Sequence, residues 1–144
     1  MSKTHQKLKA FTLIEILITI VILAILAGLT IIALNPGQNI DDANDVRRKT
    51  DVNTLLSAIW QYNVDNNGSF PSDITSTAQA ISNSAADICT DLVPTYMAAI
   101  PADPTTGSYT DCTTYASGYT VSTANNHVTV SATLSDSSAY SQTR

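Results

Sequence analysis

The feature that most constrains this chain is an apolar run of 24 residues, Phe11 to Leu34. At about 1.5 Å per residue, a helix of this length measures about 36 Å, which is enough to cross a hydrocarbon core of about 30 Å. Three of the seven basic residues, Lys3, Lys7 and Lys9, precede the run. This positive flank predicts that the amino terminus stays in the cytoplasm and that the remainder is exported.

Two simple roles for the run are a cleaved secretory signal peptide and a plain membrane anchor. A signal peptide has a shorter apolar core and then a small-residue cleavage site, and Ile25 disrupts the best such site, which ends at Ala27. Neither role explains Glu15, the one charged residue of the run. A carboxylate near the centre of a spanning helix costs about 2.5–3.5 kcal/mol and usually has a partner. The next cationic residue is Arg47, so we expect that partner to come from another copy of the chain.

The basic leader, a small residue and the sequence FTLIE before a long apolar helix resemble the prepilin signal of the type IV pilin and type II secretion pseudopilin family. In that family a membrane-embedded prepilin peptidase cuts just before the Phe and methylates the new amine. The resemblance implies cleavage between Ala10 and Phe11, N-methylation of Phe11 and a role in assembly for Glu15. Ala10 stands where the family usually has Gly. The resemblance continues through residues 35–55 and more loosely through residues 91–104.

A hypothesis for assembly follows from these residues. Cleavage would leave a positive amine on Phe11 at the edge of the bilayer, where the Glu15 carboxylate of the preceding subunit could pair with it. Two charges that are costly in a medium of low dielectric constant would then satisfy each other. Such a contact is heterologous and does not close on itself, so it propagates a helical filament. The implied partners are further copies of the chain, a prepilin peptidase and an assembly platform with a separate ATPase.

The whole chain is predicted to be an α+β, pilin-like lollipop, with a long amino-terminal helix packed on a small antiparallel β-sheet headpiece. We expect a leader peptide at residues 1–10 and a transmembrane or filament-core helix at residues 11–34. The amphipathic second half of the long helix follows at residues 35–66, and a small α+β headpiece at residues 67–144. Pro36 predicts a helix break or kink, because proline lacks the amide hydrogen and clashes with the preceding turn.

The segment from residue 40 to residue 64 has the pattern of an amphipathic helix. Apolar side chains recur at the spacing of one buried stripe, at Val52, Leu55, Leu56 and Ile59. Residues 66–71 then end the helix, since Asn and Gly tolerate a left-handed turn and Pro71 blocks a continuation. Within them, Asn67-Gly68-Ser69 also matches the N-glycosylation acceptor pattern, but the sequence favours a plain turn.

Alternating residues at 119–123 and 128–132 predict a β-hairpin, because the Asn125-Asn126 pair between them can adopt positive φ. We also expect a third strand at residues 109–115, a loop with one short helix at residues 72–87, and a frayed polar tail at residues 135–144.

The two cysteines, Cys89 and Cys112, follow the apolar run and are therefore expected in an oxidising compartment. Cysteines there most often pair, which predicts a disulfide worth about 3 kcal/mol by the chain-entropy estimate. Some pseudopilins bind calcium before the hairpin, which makes Asp103 and Asp111 candidate ligands. The aromatic and glycine pattern usual there is absent, so we expect no metal and no other cofactor.

Charge and motifs narrow the class of function. The chain without residues 1–10 keeps four basic against twelve acidic residues, a net charge of −8, which argues against direct nucleic-acid binding. No phosphate-binding loop and no nucleophile with a base is evident, so no enzymatic activity is predicted. We therefore predict a structural, major-type pilin of a type IV pilus-like filament, held in the cytoplasmic membrane before assembly and then at the cell surface. The alternatives are a type II secretion pseudopilin of a periplasmic pseudopilus and a membrane-tethered binding module that never polymerises.

Overall fold

The structure is a computed structural model that describes residues 11–34 and 36–144, with the backbone alone at residues 31–34. Within these residues, three helices and five strands follow in the order α1 Leu13–Leu34, α2 Pro36–Asp65, β1 Gln79–Ser82, α3 Cys89–Leu92, β2 Ser108–Asp111, β3 Thr114–Ala124, β4 His127–Thr133 and β5 Ala139–Thr143. The chain divides into two compact units, with the boundary between Asn39 and Ile40. Helices combined with one antiparallel sheet confirm the predicted α+β class.

Helix α1 is apolar along its length apart from Glu15, Thr19 and Thr30. Its window Leu13–Thr30 is long and apolar enough to cross a membrane, and none of that window is buried within the protein. The large side chains from Leu13 to Leu29 keep half or more of their surface exposed. A helix of this kind needs lipid or other protein surfaces around it, because exposure of its apolar surface to water is unfavourable.

The predicted helix break stays a prediction. Helix α1 ends at Leu34 and α2 begins at Pro36, while Asn35 lies outside the described residues. Proline is well tolerated as the first residue of a helix, because an amide hydrogen there has no intrahelical acceptor. The predicted leader, including Ala10, also lies outside the described residues.

The core of the second unit forms between α2 and the sheet, as the stripe in the sequence predicts. Val52, Leu55 and Ile59 are fully buried, and Leu56 is 7% exposed. Each such side chain contributes about 1.5–3 kcal/mol when it leaves water. The sheet supplies the facing apolar side chains, and the ones that are at most 1% exposed are Ile81, Tyr119, Val121, Val128 and Val130.

The sheet is antiparallel, with the order β1-β3-β4-β5 and with β2 also paired to β3. The predicted hairpin is present as β3 and β4, in the register Val121↔Val130 and Ala124↔His127. Asn125 and Asn126 form its turn with φ of 51° and 62°, the backbone that a two-residue type I′ turn requires.

Two of the predicted irregular segments contain strands. The segment expected to be a loop with one short helix includes β1, which pairs Gln79 with Val121 and buries Ile81. The tail expected to be frayed includes β5, which pairs with β4 from Thr129↔Thr143 to Thr133↔Ala139. Both strands are rich in Ser, Thr, Gln and Ala, so pairing with a neighbouring strand, rather than intrinsic propensity, makes them extended. The third strand is shorter than predicted, since β2 ends at Asp111.

Candidate functional site

The start of α1 is a capped helix terminus. The Glu15 amide donates to the Thr12 hydroxyl oxygen at 3.3 Å and to the Thr12 carbonyl oxygen at 3.1 Å. Thr12 and Glu15 have the spacing of a capping box, in which the first residue caps the helix and the fourth carries a carboxylate. Glu15 therefore lies in the first turn, where the helix dipole favours a negative charge.

The Glu15 carboxylate itself has no hydrogen bond or ion pair to any of the residues that the structure describes. Its backbone is used, since the Thr19 hydroxyl donates to the Glu15 carbonyl oxygen. Phe11, the predicted new terminus, is 77% exposed. The arrangement leaves the carboxylate available to a group from another molecule, and the predicted roles of Ala10, Phe11 and Glu15 stay predictions.

A second cluster lies in the other unit and centres on Arg48, which is 5% exposed. Its Nε donates to Asp103 Oδ2 at 2.5 Å and its Nη2 to Asp103 Oδ1 at 3.3 Å. The other contacts are to Asp45 Oδ1 at 2.8 Å, Ser135 Oγ at 3.0 Å and Thr105 Oγ1 at 2.7 Å. A guanidinium has five N–H donors, and here all five have an acceptor.

The Asp103 carboxylate is equally occupied. Its Oδ1 accepts hydrogen bonds from the amides of Thr105 and Thr106 at 2.8 and 2.9 Å, and from both hydroxyls. Burial of Asp103 disfavours its charged form, but the donors from Arg48 and the two threonines outweigh that cost and hold its pKa well below the usual value. The hydrogen bond to Asp103 is the main reason that the pKa of Arg48 rises. The pair therefore stays charged from mildly acidic to alkaline pH.

Two glycines let the loop that carries Asp103 approach strand β3. A Cβ on Gly107 would lie 2.3 Å from the Asp103 nitrogen and 2.5 Å from the Ser117 carbonyl oxygen. Gly118 has φ of +81°, and a Cβ there would lie 2.7 Å from Asp103 Cβ. The Asp103 amide donates to the Ser117 carbonyl oxygen at 2.8 Å, so backbone contact and the ion pair fix the same loop.

A cleft of about 430 Å³ opens beside this cluster, and its lining residues are Asp41, Arg48, Asp103, Thr105, Thr106, Gly118, Thr133, Leu134 and Ser135. Two of its charged lining residues already have partners, because the donors of Arg48 and the acceptors of Asp103 are taken within the protein. The cluster thus acts as an internal clamp between α2 and the loop, which we call the Arg48 clamp.

The two candidate calcium ligands lie in separate turns. Asp103 belongs to the Arg48 clamp, whereas Asp111 accepts from the Thr113 amide at 2.8 Å and the Thr114 amide at 2.9 Å. Over residues 11–34 and 36–144, no group of three or more His, Cys, Asp or Glu side chains could hold a metal ion. The aspartates instead organise their own turns, with threonine as the donor in both cases.

The predicted disulfide is confirmed. Cys89 and Cys112 are bonded, with their Cα atoms 5.3 Å apart. Cys89 is fully buried at the start of α3, and Cys112 lies between β2 and β3. The bond ties an irregular segment with little regular structure to the sheet.

Sequence reasoning missed the Arg48 clamp, although one signal was available. Arg48 lies four residues before Val52 and so continues the buried stripe of α2. A cation on the buried face of a helix implies a buried partner, because an unpaired charge is too costly there. The partner, Asp103, lies far along the chain. No pattern in the sequence joins the two residues.

A family model described as the prokaryotic N-terminal methylation motif matches residues 6–31. This motif is the hallmark of type IV pilin and pseudopilin prepilins, and it confirms the resemblance inferred from the leader and FTLIE. No curated protein and no solved structure matches the chain.

Proposed function

We propose that this chain, which carries the N-terminal methylation motif of type IV pilin and pseudopilin prepilins, is the major-type structural subunit of a type IV pilus-like filament. The observation that carries the proposal is the combination of that motif with α1, an apolar helix whose only charge, Glu15, has no partner among the described residues. A simple membrane tether has no need of this carboxylate, since a charge within a membrane-spanning segment is costly to insert.

In the proposed mechanism the chain waits in the cytoplasmic membrane through α1. A prepilin peptidase removes residues 1–10 and methylates the amine of Phe11. A platform driven by a separate ATPase then lifts the subunit, and its new amine pairs with Glu15 of the preceding subunit. In the filament, neighbouring copies of α1 replace lipid around the exposed apolar side chains from Leu13 to Leu29. The amine–carboxylate contact fixes the axial offset between successive subunits.

The second unit supplies a rigid body on the solvent side of that process. Its helix α2 is held to the sheet by the buried stripe and by the Arg48 clamp. The disulfide closes a loop of the same unit. A filament subunit benefits from such connections, because displacement of α2 then moves the sheet with it instead of unfolding the unit. These connections support a structural role, which requires no catalytic activity.

The pseudopilin of a type II secretion system is the second candidate, since the methylation motif is common to both classes. We favour the pilin because the two candidate calcium ligands before the hairpin have partners within the protein. Asp103 accepts hydrogen bonds from Arg48 and the Thr106 amide, and Asp111 accepts one from the Thr113 amide. The two functions differ in where the mature protein accumulates, namely on the cell surface as long fibres or in the periplasm as a short pseudopilus.

The decisive experiment is mechanical shearing of cells that express the chain at its native level, followed by amino-terminal sequencing and mass analysis of the released fibres. The expected result is fibres made of a chain that begins with N-methylated Phe11. A protein that still begins at Met1, or a processed protein that stays solitary in the membrane, would overturn the proposal. Processed protein found only in periplasmic assemblies would assign the chain to the pseudopilins.

A further inference from the structure

We infer that Asn67 is an acceptor for N-linked glycosylation, with a lipid-linked oligosaccharide as the sugar donor. Asn67-Gly68-Ser69 is the one Asn-x-Ser/Thr sequence in the chain, and this pattern marks surface acceptors in exported proteins. The inference depends on export of the residues after α1, which is part of the proposed function.

The acceptor sits in the turn that ends α2. The Gly68 amide donates to the Asn63 carbonyl oxygen at 2.8 Å, which is the long bond of a Schellman motif. Asn67 occupies the left-handed position of this motif with φ of 55°. The turn is anchored on its far side, because Phe70 packs against Trp60 with ring centroids 6.3 Å apart. The acceptor is therefore presented on a fixed and protruding turn.

The groups that a transferase must reach are free. Asn67, Gly68 and Ser69 are all exposed, and a Cβ on Gly68 would meet nothing within 4 Å. Neither the Asn67 carboxamide nor the Ser69 hydroxyl forms a hydrogen bond within the part of the chain that the structure describes. The adjacent Asn66 contrasts with this, since its Nδ2 donates to the Tyr62 carbonyl oxygen at 2.8 Å.

The chemistry requires only an accessible amide and the lipid-linked donor. Nδ2 of Asn67 attacks the anomeric carbon of the first sugar and forms the C–N bond. The bond from that carbon to the lipid diphosphate breaks, the diphosphate leaves with its electron pair, and a base of the transferase takes the amide proton. Ser69 offers its hydroxyl for recognition. Asp65, two residues before the acceptor, is exposed as well.

A single digest tests this inference separately from the proposed function. Mature protein is isolated from the cells that make it and digested with a protease that cleaves before Asp, which releases residues 65–72 as one peptide. Mass spectrometry with fragmentation that preserves the glycan is expected to place an oligosaccharide on Asn67. The amino-terminal peptide of the same digest reports whether the chain was processed to Phe11. An unmodified peptide 65–72 from correctly processed protein overturns the glycosylation alone.

Matched variants complete the test. Ser69→Ala removes the acceptor pattern without changing the left-handed position, and is expected to abolish the added mass. Ser69→Thr keeps the pattern and Ser72→Ala alters another exposed serine of the same peptide, so both are expected to keep the glycan. A glycan that persists in Ser69→Ala refutes the assignment, as does a gain of only about one mass unit from deamidation of Asn67.

Discussion

Arg48 and Asp103 form a bidentate, buried ion pair although they are 55 residues apart in the chain. Their side chains are 6% and 4% exposed, so this pair is one of the most completely buried charged contacts among the described residues. It joins the middle of α2 to the loop before β2. The stability of the second unit should therefore depend more on this one contact than on its surface charges.

Replacement of Arg48 by Met should destabilise the protein strongly. The change leaves the Asp103 carboxylate buried without its counter-charge, for which a loss of about 3–5 kcal/mol is typical. The control is Arg47→Met, because Arg47 is 61% exposed and lies 3.8 Å from Asp51; such surface pairs contribute about 0–1 kcal/mol. Denaturant unfolding of the full chain in detergent, followed by Trp60 fluorescence, measures both.

The cause can be separated from lost packing with a second substitution. Asp103→Asn in the Arg48→Met background removes the stranded charge while it keeps an oxygen for the threonine amides. The double variant should therefore be more stable than Arg48→Met alone. If it is less stable by the sum of the two single losses, the ion pair is not the reason for the effect.

Acid should weaken the second unit through Asp103. Its pKa is below the usual value in the folded state, so its contribution is present above the unfolded value of about 3.9 and is lost as the pH falls through the folded value. The free energy of unfolding should decline below about pH 4, and less so in Asp103→Asn.

Asp91 should affect stability in the opposite direction. Burial, and then the charges of Asp73 and Asp87, raise its pKa, so its charged form is disfavoured in the folded protein. Asp91→Asn should stabilise the protein at neutral pH.

The limits of the sequence are visible in the same elements. The buried stripe of α2 and the Asn125-Asn126 turn were predictable, because helical periodicity and positive φ are local properties. Strands β1 and β5 were not, since their polar residues become extended only through pairing with β3 and β4. Arg48 lay on the predicted stripe, yet its partner could be identified only after folding had brought a distant loop to α2.

The glycine at position 118 should be far less replaceable than the one at position 68. Both have positive φ, so alanine costs about 1–2 kcal/mol of backbone strain at either position. At Gly118 the new Cβ would also lie 2.7 Å from Asp103 Cβ, whereas at Gly68 it meets nothing within 4 Å. Overpacking adds about 1–3 kcal/mol, and thermal unfolding of the two variants should show this difference. Equal melting temperatures would mean that the loop that carries Asp103 moves to accommodate the new Cβ.

Removal of the disulfide should lower the free energy of unfolding by about 3 kcal/mol, the chain-entropy value for a separation of 23 residues. The suitable variant is Cys89→Ala with Cys112→Ser, because Cys89 is fully buried and Cys112 is partly exposed. Denaturant unfolding should give reduced protein and the variant the same free energy of unfolding, which should be lower than that of oxidised protein. Two free thiols in native protein would contradict the bond.

The most specific prediction concerns Glu15, whose carboxylate has two separable uses. As a negative charge in the first turn it favours the start of α1 through the helix dipole, and it is also proposed to bind the Phe11 amine of the next subunit. Glu15→Gln keeps an oxygen near the cap and removes the charge, whereas Thr12→Ala removes the cap hydroxyl that accepts from the Glu15 amide at 3.3 Å and keeps the charge.

If the charge directs assembly, Glu15→Gln should be processed and methylated normally, yet the yield of sheared fibre should fall at least about tenfold, since a lost charge pair of 1.4 kcal/mol or more per contact changes the equilibrium by that factor. Thr12→Ala should lower the yield little, because a lost cap costs only about 1 kcal/mol and leaves the pairing intact. Fibre mass relative to processed subunit in the membrane is the measurement. A normal yield from Glu15→Gln, or an equal loss in both variants, would show that the carboxylate serves the helix terminus and not the contact between subunits.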